Sequence, residues 1–101
     1  MTHDELVRFA AGKVGTRHNF DLVQLSLDKW EWVPLSSPEL LLKGMRTLGE
    51  LELIISGVPE GNGWTVEIIG ECVGKEVRGV ATEDIPLTFW QCWAELEGGQ
   101  G

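Results

Sequence analysis

The chain has 101 residues, 43% of them apolar and 24% charged, with a formal net charge of −8. That length and balance fit one small globular domain, and a core this size supports roughly 5–10 kcal/mol of stability. No apolar run approaches the 18 or so residues of a membrane span. The opening Met-Thr-His-Asp-Glu-Leu lacks a signal peptide's basic and apolar regions, so the expected location is cytoplasmic. The charge is unevenly placed. Met1–Gly49 holds six basic and six acidic residues; Glu50–Gly101 holds two basic and ten acidic. An acidic second half argues against a nucleic-acid backbone as partner and suits either a basic partner or simple solubility.

Thr2-His-Asp-Glu5 has the capping-box spacing, and Leu6, Phe9 and Ala10 form an apolar stripe behind it. The reading is a short N-terminal helix over 3–11, bounded by Gly12 and Gly15. Lys13, Arg17 and His18 then make the one basic cluster. The core of a single α+β domain over 1–98 is placed at 19–97, with 99–101 a disordered tail.

Asn19 can cap a second helix from Phe20 to about Lys29, with Phe20, Val23, Leu27 and Trp30 at i, i+3, i+7 and i+10. The same run alternates as a strand would, with Val23, Leu25 and Leu27 on one side, and periodicity alone does not decide between them. The helix is the expectation. Trp30-Glu-Trp32-Val-Pro34-Leu-Ser-Ser-Pro38 is expected to be an irregular connection, extended before its prolines. One tryptophan should pack and the other be open to solvent. Ser36 or Ser37 caps a third helix, with Leu41, Met45 and Leu48 buried, Leu40 and Gly44 beside them, and Lys43 and Arg46 facing out.

Three antiparallel strands are expected next. Glu50–Ser56 alternates with Leu51, Leu53 and Ile55 inward. Trp64–Ile69 places Trp64, Val66 and Ile68 on one face. Lys75–Thr82 is a third strand, whose small residues on the face of Val77, Gly79 and Ala81 leave room for aromatic rings. Asp84 and Pro86 open a last helix, and Phe89, Trp90, Trp93 and Leu96 share its face. The expected fold is therefore α+β, a small three-stranded antiparallel sheet packed by helices in the order α-α-α-β-β-β-α, a helix/sheet sandwich.

Several features over Asn19–Glu97 resemble the phage ABA sandwich domain of small phage and prophage proteins. They are Asp21-Leu22-Val23 running into the Trp30, Trp32, Pro34 connection, the serine-capped stretch Ser36–Leu48, the Gly63-Trp64 strand start, and the Ala81-Thr82…Pro86 lead-in to the last helix. The resemblance implies an α+β sheet with helices against it, a phage or prophage origin, and an accessory role with no catalytic residues to carry over.

The residues themselves offer little chemistry. Gly70-Glu-Cys-Val-Gly74-Lys75-Glu76 has three residues between its glycines where a phosphate loop has four, and a glutamate where magnesium needs Ser or Thr. His3, His18, Cys72 and Cys92 lack metal-ligand spacing. No catalytic group, metal or cofactor is expected. Cys72 and Cys92 could bridge, but a cytosolic chain keeps them reduced. Trp64, Trp90 and Trp93 read as core. Trp30, Trp32, Glu50, Glu52 and Glu67 read as contacts for a protein partner, from host or phage. The alternative is a nucleotide-type ligand held by Lys13, Arg17 and His18 with a tryptophan. A homodimer through the first helix or a sheet edge is left open.

Overall fold

The computed structural model describes residues 2–49, 51–57, 64–70, 75–81 and 84–98; for 69–70, 75–81 and 98 it describes the backbone alone. The order is α1 (His3–Val14), β1 (His18–Asn19), β2 (Leu22–Ser26), β3 (Lys29–Pro34), α2 (Pro38–Arg46), β4 (Glu52–Gly57), β5 (Trp64–Gly70), β6 (Lys75–Ala81) and α3 (Ile85–Gly98). The class is α+β. Two antiparallel sheets form, β1-β2-β3 and β4-β5-β6, the first with a strand of only two residues at its edge.

The helix at 20–29 and the irregular connection after it are both replaced by strand. Leu22–Ser26 pairs with Lys29–Pro34, closing on Ser26 opposite Lys29 around the two-residue turn Leu27–Asp28. Asn19 does not cap a helix; it pairs with Leu22 across the turn Phe20–Asp21. The physical reason is local agreement. A period-two run sits between two Asp-containing turns, and its mate is rich in Trp and Val, which favour pleated surfaces. Phe20 takes the turn at φ 55 and stands 85% exposed, not on a buried helical face. A bulky side chain in that left-handed region is uncommon. The strand order of the molecule is thus α-β-β-β-α-β-β-β-α rather than the expected α-α-α-β-β-β-α.

α1 begins as its spacing indicates. Thr2 Oγ1 accepts from the Glu5 N–H at 3.2 Å, and the Glu5 carboxylate accepts from Thr2 in return. Those bonds hold the Glu5 carboxyl below its ordinary pKa. The helix passes through Gly12 and ends at Gly15, left-handed at φ 75 with its N–H on the Ala11 carbonyl. It buries Leu6, Val7, Ala10 and Ala11, while Phe9 lies edge-on to Trp93 with ring centroids 5.6 Å apart.

α3 is the centre of the packing. Asp84 Oδ1 accepts from the Leu87 N–H at 3.1 Å, so the expected cap is present. Phe89, Trp90, Cys92, Trp93, Ala94 and Leu96 are all buried, a wider face than the four-residue stripe. Trp90 and Trp93 stack at 5.6 Å and 16°, and Phe89 meets Trp90 at 4.9 Å and 74°. α3 lies across β5 and β6 and also touches α1 and α2; α1 and α2 in turn support β2.

α2 meets α3 through a glycine. A Cβ at Gly44 would fall 2.5 Å from Trp90 Cη2 and 2.9 Å from Phe89 Cε2. Its buried line is Leu40 and Gly44, with Leu41 and Leu48 partly covered. Met45 is 42% exposed, so the expected stripe is rotated by about one position. The cause is Trp90: the helix turns its smallest residue, not its bulkiest, toward the indole. Ser37 holds the N-cap position without a side-chain bond, and Pro38 is the first helical residue. Lys43 does not face out; its Nζ donates to the Leu25 carbonyl of β2.

In the second sheet the β4–β5 register is continuous from Glu52 opposite Ile69 to Gly57 opposite Trp64. Val66 and Ile68 are fully buried, as the alternation requires. Trp64 and Ile55 are not: they are 44% and 38% exposed. Trp64 stands opposite Gly57 at the end of the β4–β5 ladder, and its ring lies against that glycine. The expected tail at 99–101, Cys72, and residues 58–63 and 71–74 fall outside the described residues.

Candidate interaction site on the tryptophan hairpin

Strand pairing brings Trp30 and Trp32 together, which no single helical face would do. They are two apart on β3, with ring centroids 6.2 Å apart at 39°. Trp30 is 83% exposed and Trp32 half-buried. Between the Gln24–Trp32 and Ser26–Lys29 pairs, β3 carries one more residue than β2, which makes a bulge beside Trp30. Bulges sharpen the local twist and re-aim side chains.

The hairpin is anchored from both sides. Val23 and Leu25 of β2 are buried toward the helices, and Val33 opposite Val23 packs on the same core. On the other face Gln24 stands opposite Trp32 and is only 4% exposed. Its Nε2 donates to the Lys29 carbonyl at 2.9 Å, across the bulge, while its Oε1 has no hydrogen-bond partner among the described residues. At the tip the Ser26 hydroxyl donates to Asp28, which lowers the Asp28 pKa. Lys43 ties β2 to α2 through Leu25. Trp30 on β3 and Leu27 in the turn, 63% exposed, are therefore both carried on a braced element.

The acidic residues expected to share this contact lie elsewhere. Glu52 is exposed on β4 and Glu67 is half-buried on β5, in the second sheet; Glu50 falls outside the described residues. The hairpin's own carboxylates are Asp28 and Glu31, both exposed. Of the basic trio, Lys13 is engaged: its Nζ pairs with Glu97 at 2.6 Å and lies 5.4 Å and 5.2 Å from the Phe9 and Trp93 ring centroids. Arg17 and His18 are exposed, and the Arg17 carbonyl accepts from the Gln24 N–H at 2.8 Å. Lys13 is thus committed to Glu97 and the aromatic rings, while Arg17 and His18 stand open to solvent.

Cys92 is a buried thiol whose Sγ contacts the Val66 carbonyl at 3.7 Å, and burial pushes its pKa up to about 11. A raised pKa removes the thiolate that nucleophilic chemistry needs. Among the described residues there is no group of three His, Cys, Asp or Glu placed to hold a metal, and no helix long and apolar enough to cross a membrane. Sequence reasoning singled out both tryptophans but missed Gln24, Leu27 and Phe20. The turn residue Asp28 between two alternating runs was the signal that would have found them. No protein-family model, curated protein or solved structure matches the chain.

Proposed function

We propose that this protein is a small acidic interaction module, of the phage or prophage accessory type, that acts by binding another protein rather than by catalysis. The observation that carries the reading is Trp30, 83% exposed on a hairpin held by Gln24 and Lys43. An indole offered to solvent on a rigid strand loses little conformational entropy on docking, and tryptophan dominates interface hot spots. The partner fits as an apolar pocket that takes Trp30 and Leu27, rimmed by lysine or arginine. The basic rim answers Asp28, Glu31 and the net charge of −8. The phage-type origin rests on the likeness of Asn19–Glu97 to that family's pattern. A nucleotide-type ligand is less well supported, because Lys13 is already paired with Glu97.

The test compares three proteins as bait in a bacterial lysate, with native mass spectrometry of what each retains. These are the wild type, Trp30→Ala, and Leu42→Ala as an exposed apolar control on α2. One partner held by the wild type and the control, lost by Trp30→Ala and released by added salt, is the expected result. Equal retention by Trp30→Ala would refute the site. A retained mass of a few hundred daltons in place of a protein would favour the ligand reading.

A further inference from the structure

Sheet edges left unpaired invite another strand, and proteins blunt them with bulges, prolines, charges or very short strands. The edges of this molecule are treated unequally. β1 is two residues long. β3 carries a bulge, Lys29 and Glu31, and ends on Pro34. β6 runs Lys-Glu-Val-Arg-Gly-Val-Ala and lies under α3. β4 has none of these devices. Its Glu-Leu-Ile-Ile-Ser-Gly is straight in register, free of proline and lysine, and carries one charge. Among the described residues its second edge pairs with nothing.

The face of β4 is also incompletely covered. Leu53 and Ile55 share the buried side with Ile68 and Val66, their cross-strand partners, yet Leu53 is half-covered and Ile55 is 38% exposed. Ile54, on the opposite side facing the Glu67 position, is half-buried as well. Three successive aliphatic residues stand partly open on an unprotected edge.

We propose that this edge is the seat of a second copy of the chain, β4 pairing antiparallel with β4 about a two-fold axis at Ile54. The sequence of the strand is complementary to itself in that register. Ile54 meets Ile54, Leu53 meets Ile55 of the second copy, and Glu52 meets Ser56 rather than another Glu52. The one charge on the edge therefore avoids its mate, and like charges directly opposite are what such a pairing must escape. The two three-stranded sheets become one of six strands with each open aliphatic pair beside its counterpart. The net charge of −8 on each copy opposes approach, and about 0.15 M salt screens it to within roughly 8 Å.

Sedimentation equilibrium at about that ionic strength tests the pairing. The wild type is expected at twice the chain mass of 11.2 kDa, while Ile54→Lys and Ile54→Glu alone fall to the monomer. Mixing those two variants should restore the dimer through a Lys–Glu pair on the axis. A wild type that stays monomeric, or an Ile54→Lys protein that stays dimeric, overturns the proposal. Ile54→Cys in a Cys72→Ser background decides the case in which the charged variants fail to fold. Facing residues of antiparallel strands lie about 4.5–5.5 Å apart, within disulfide reach. Oxidation should give a cross-linked dimer, and the absence of one refutes the register.

Discussion

Gly44 shows how one residue sets the relation of two helices. A helix interior ordinarily gains about 1 kcal/mol from Gly→Ala. Here the added Cβ would lie 2.5 Å from Trp90 Cη2, and the indole is wholly buried against Phe89 and Trp93. Overpacking of that kind costs about 1–3 kcal/mol. Gly44→Ala is therefore expected to lower the urea midpoint, against its helix propensity; a raised midpoint would show that α2 does not approach α3 this closely. Cys92 carries a second residue-level expectation. Burial pushes its thiol pKa up to about 11 in the folded chain, against 9.0 for an ordinary thiol. Between those pH values the unfolded chain has lost a proton that the folded chain keeps, so stability falls as pH rises. In a Cys72→Ser protein, thiol titration with an aromatic disulfide at pH 8 should show no reaction until denaturant unfolds it. Immediate reaction would place Cys92 at the surface.

At the scale of elements, α3 was readable because every local signal agreed. Asp84 capped, Pro86 opened, and the aromatic spacing held a helical face. α1 was readable from its capping box. The β2–β3 hairpin was not, because Val23, Leu25 and Leu27 fit a strand while Phe20, Val23 and Leu27 fit a helix. The run is too short for either period to win alone. What decided it was pairing with Lys29–Pro34, a contact that sequence order does not display. Tertiary packing also overrode the α2 stripe, where the Trp90 ring selected Gly44 over Met45 as the inward residue. The turn that starts the hairpin carries an expectation of its own. Phe20 holds φ 55 with nothing buried in return. Asparagine tolerates that region far better than a bulky residue. Phe20→Asn should therefore raise the thermal midpoint, by about 0.5–1 kcal/mol in stability terms. A loss of stability would mean that the Phe20 ring makes a contact the fold needs.

On the scale of the whole molecule, the five tryptophans divide by role. Trp90 and Trp93 are stacked in the interior with their Nε1 groups buried and without hydrogen-bond partners among the described residues. Trp30 projects from a braced hairpin, Trp32 leans on it, and Trp64 lies half-open against Gly57 in the second sheet. The expected core trio of Trp64, Trp90 and Trp93 thus loses Trp64. Alternation put it on the face of Val66 and Ile68, but a strand's pattern does not say how deeply each position on that face is covered. The same blindness separated Glu52 and Glu67 from the tryptophan hairpin, since sequence proximity says nothing about which sheet faces which. The interaction reading depends on the division between interior and projecting indoles. Hydrogen exchange of the indole N–H groups, followed by NMR in deuterated water and assigned with single Trp→Phe variants, measures it directly. The Trp90 and Trp93 signals should persist well after those of Trp30 and Trp64 have vanished in the dead time. A Trp30 signal as slow as theirs would contradict the account, because an indole shielded within the monomer is not offered to a partner.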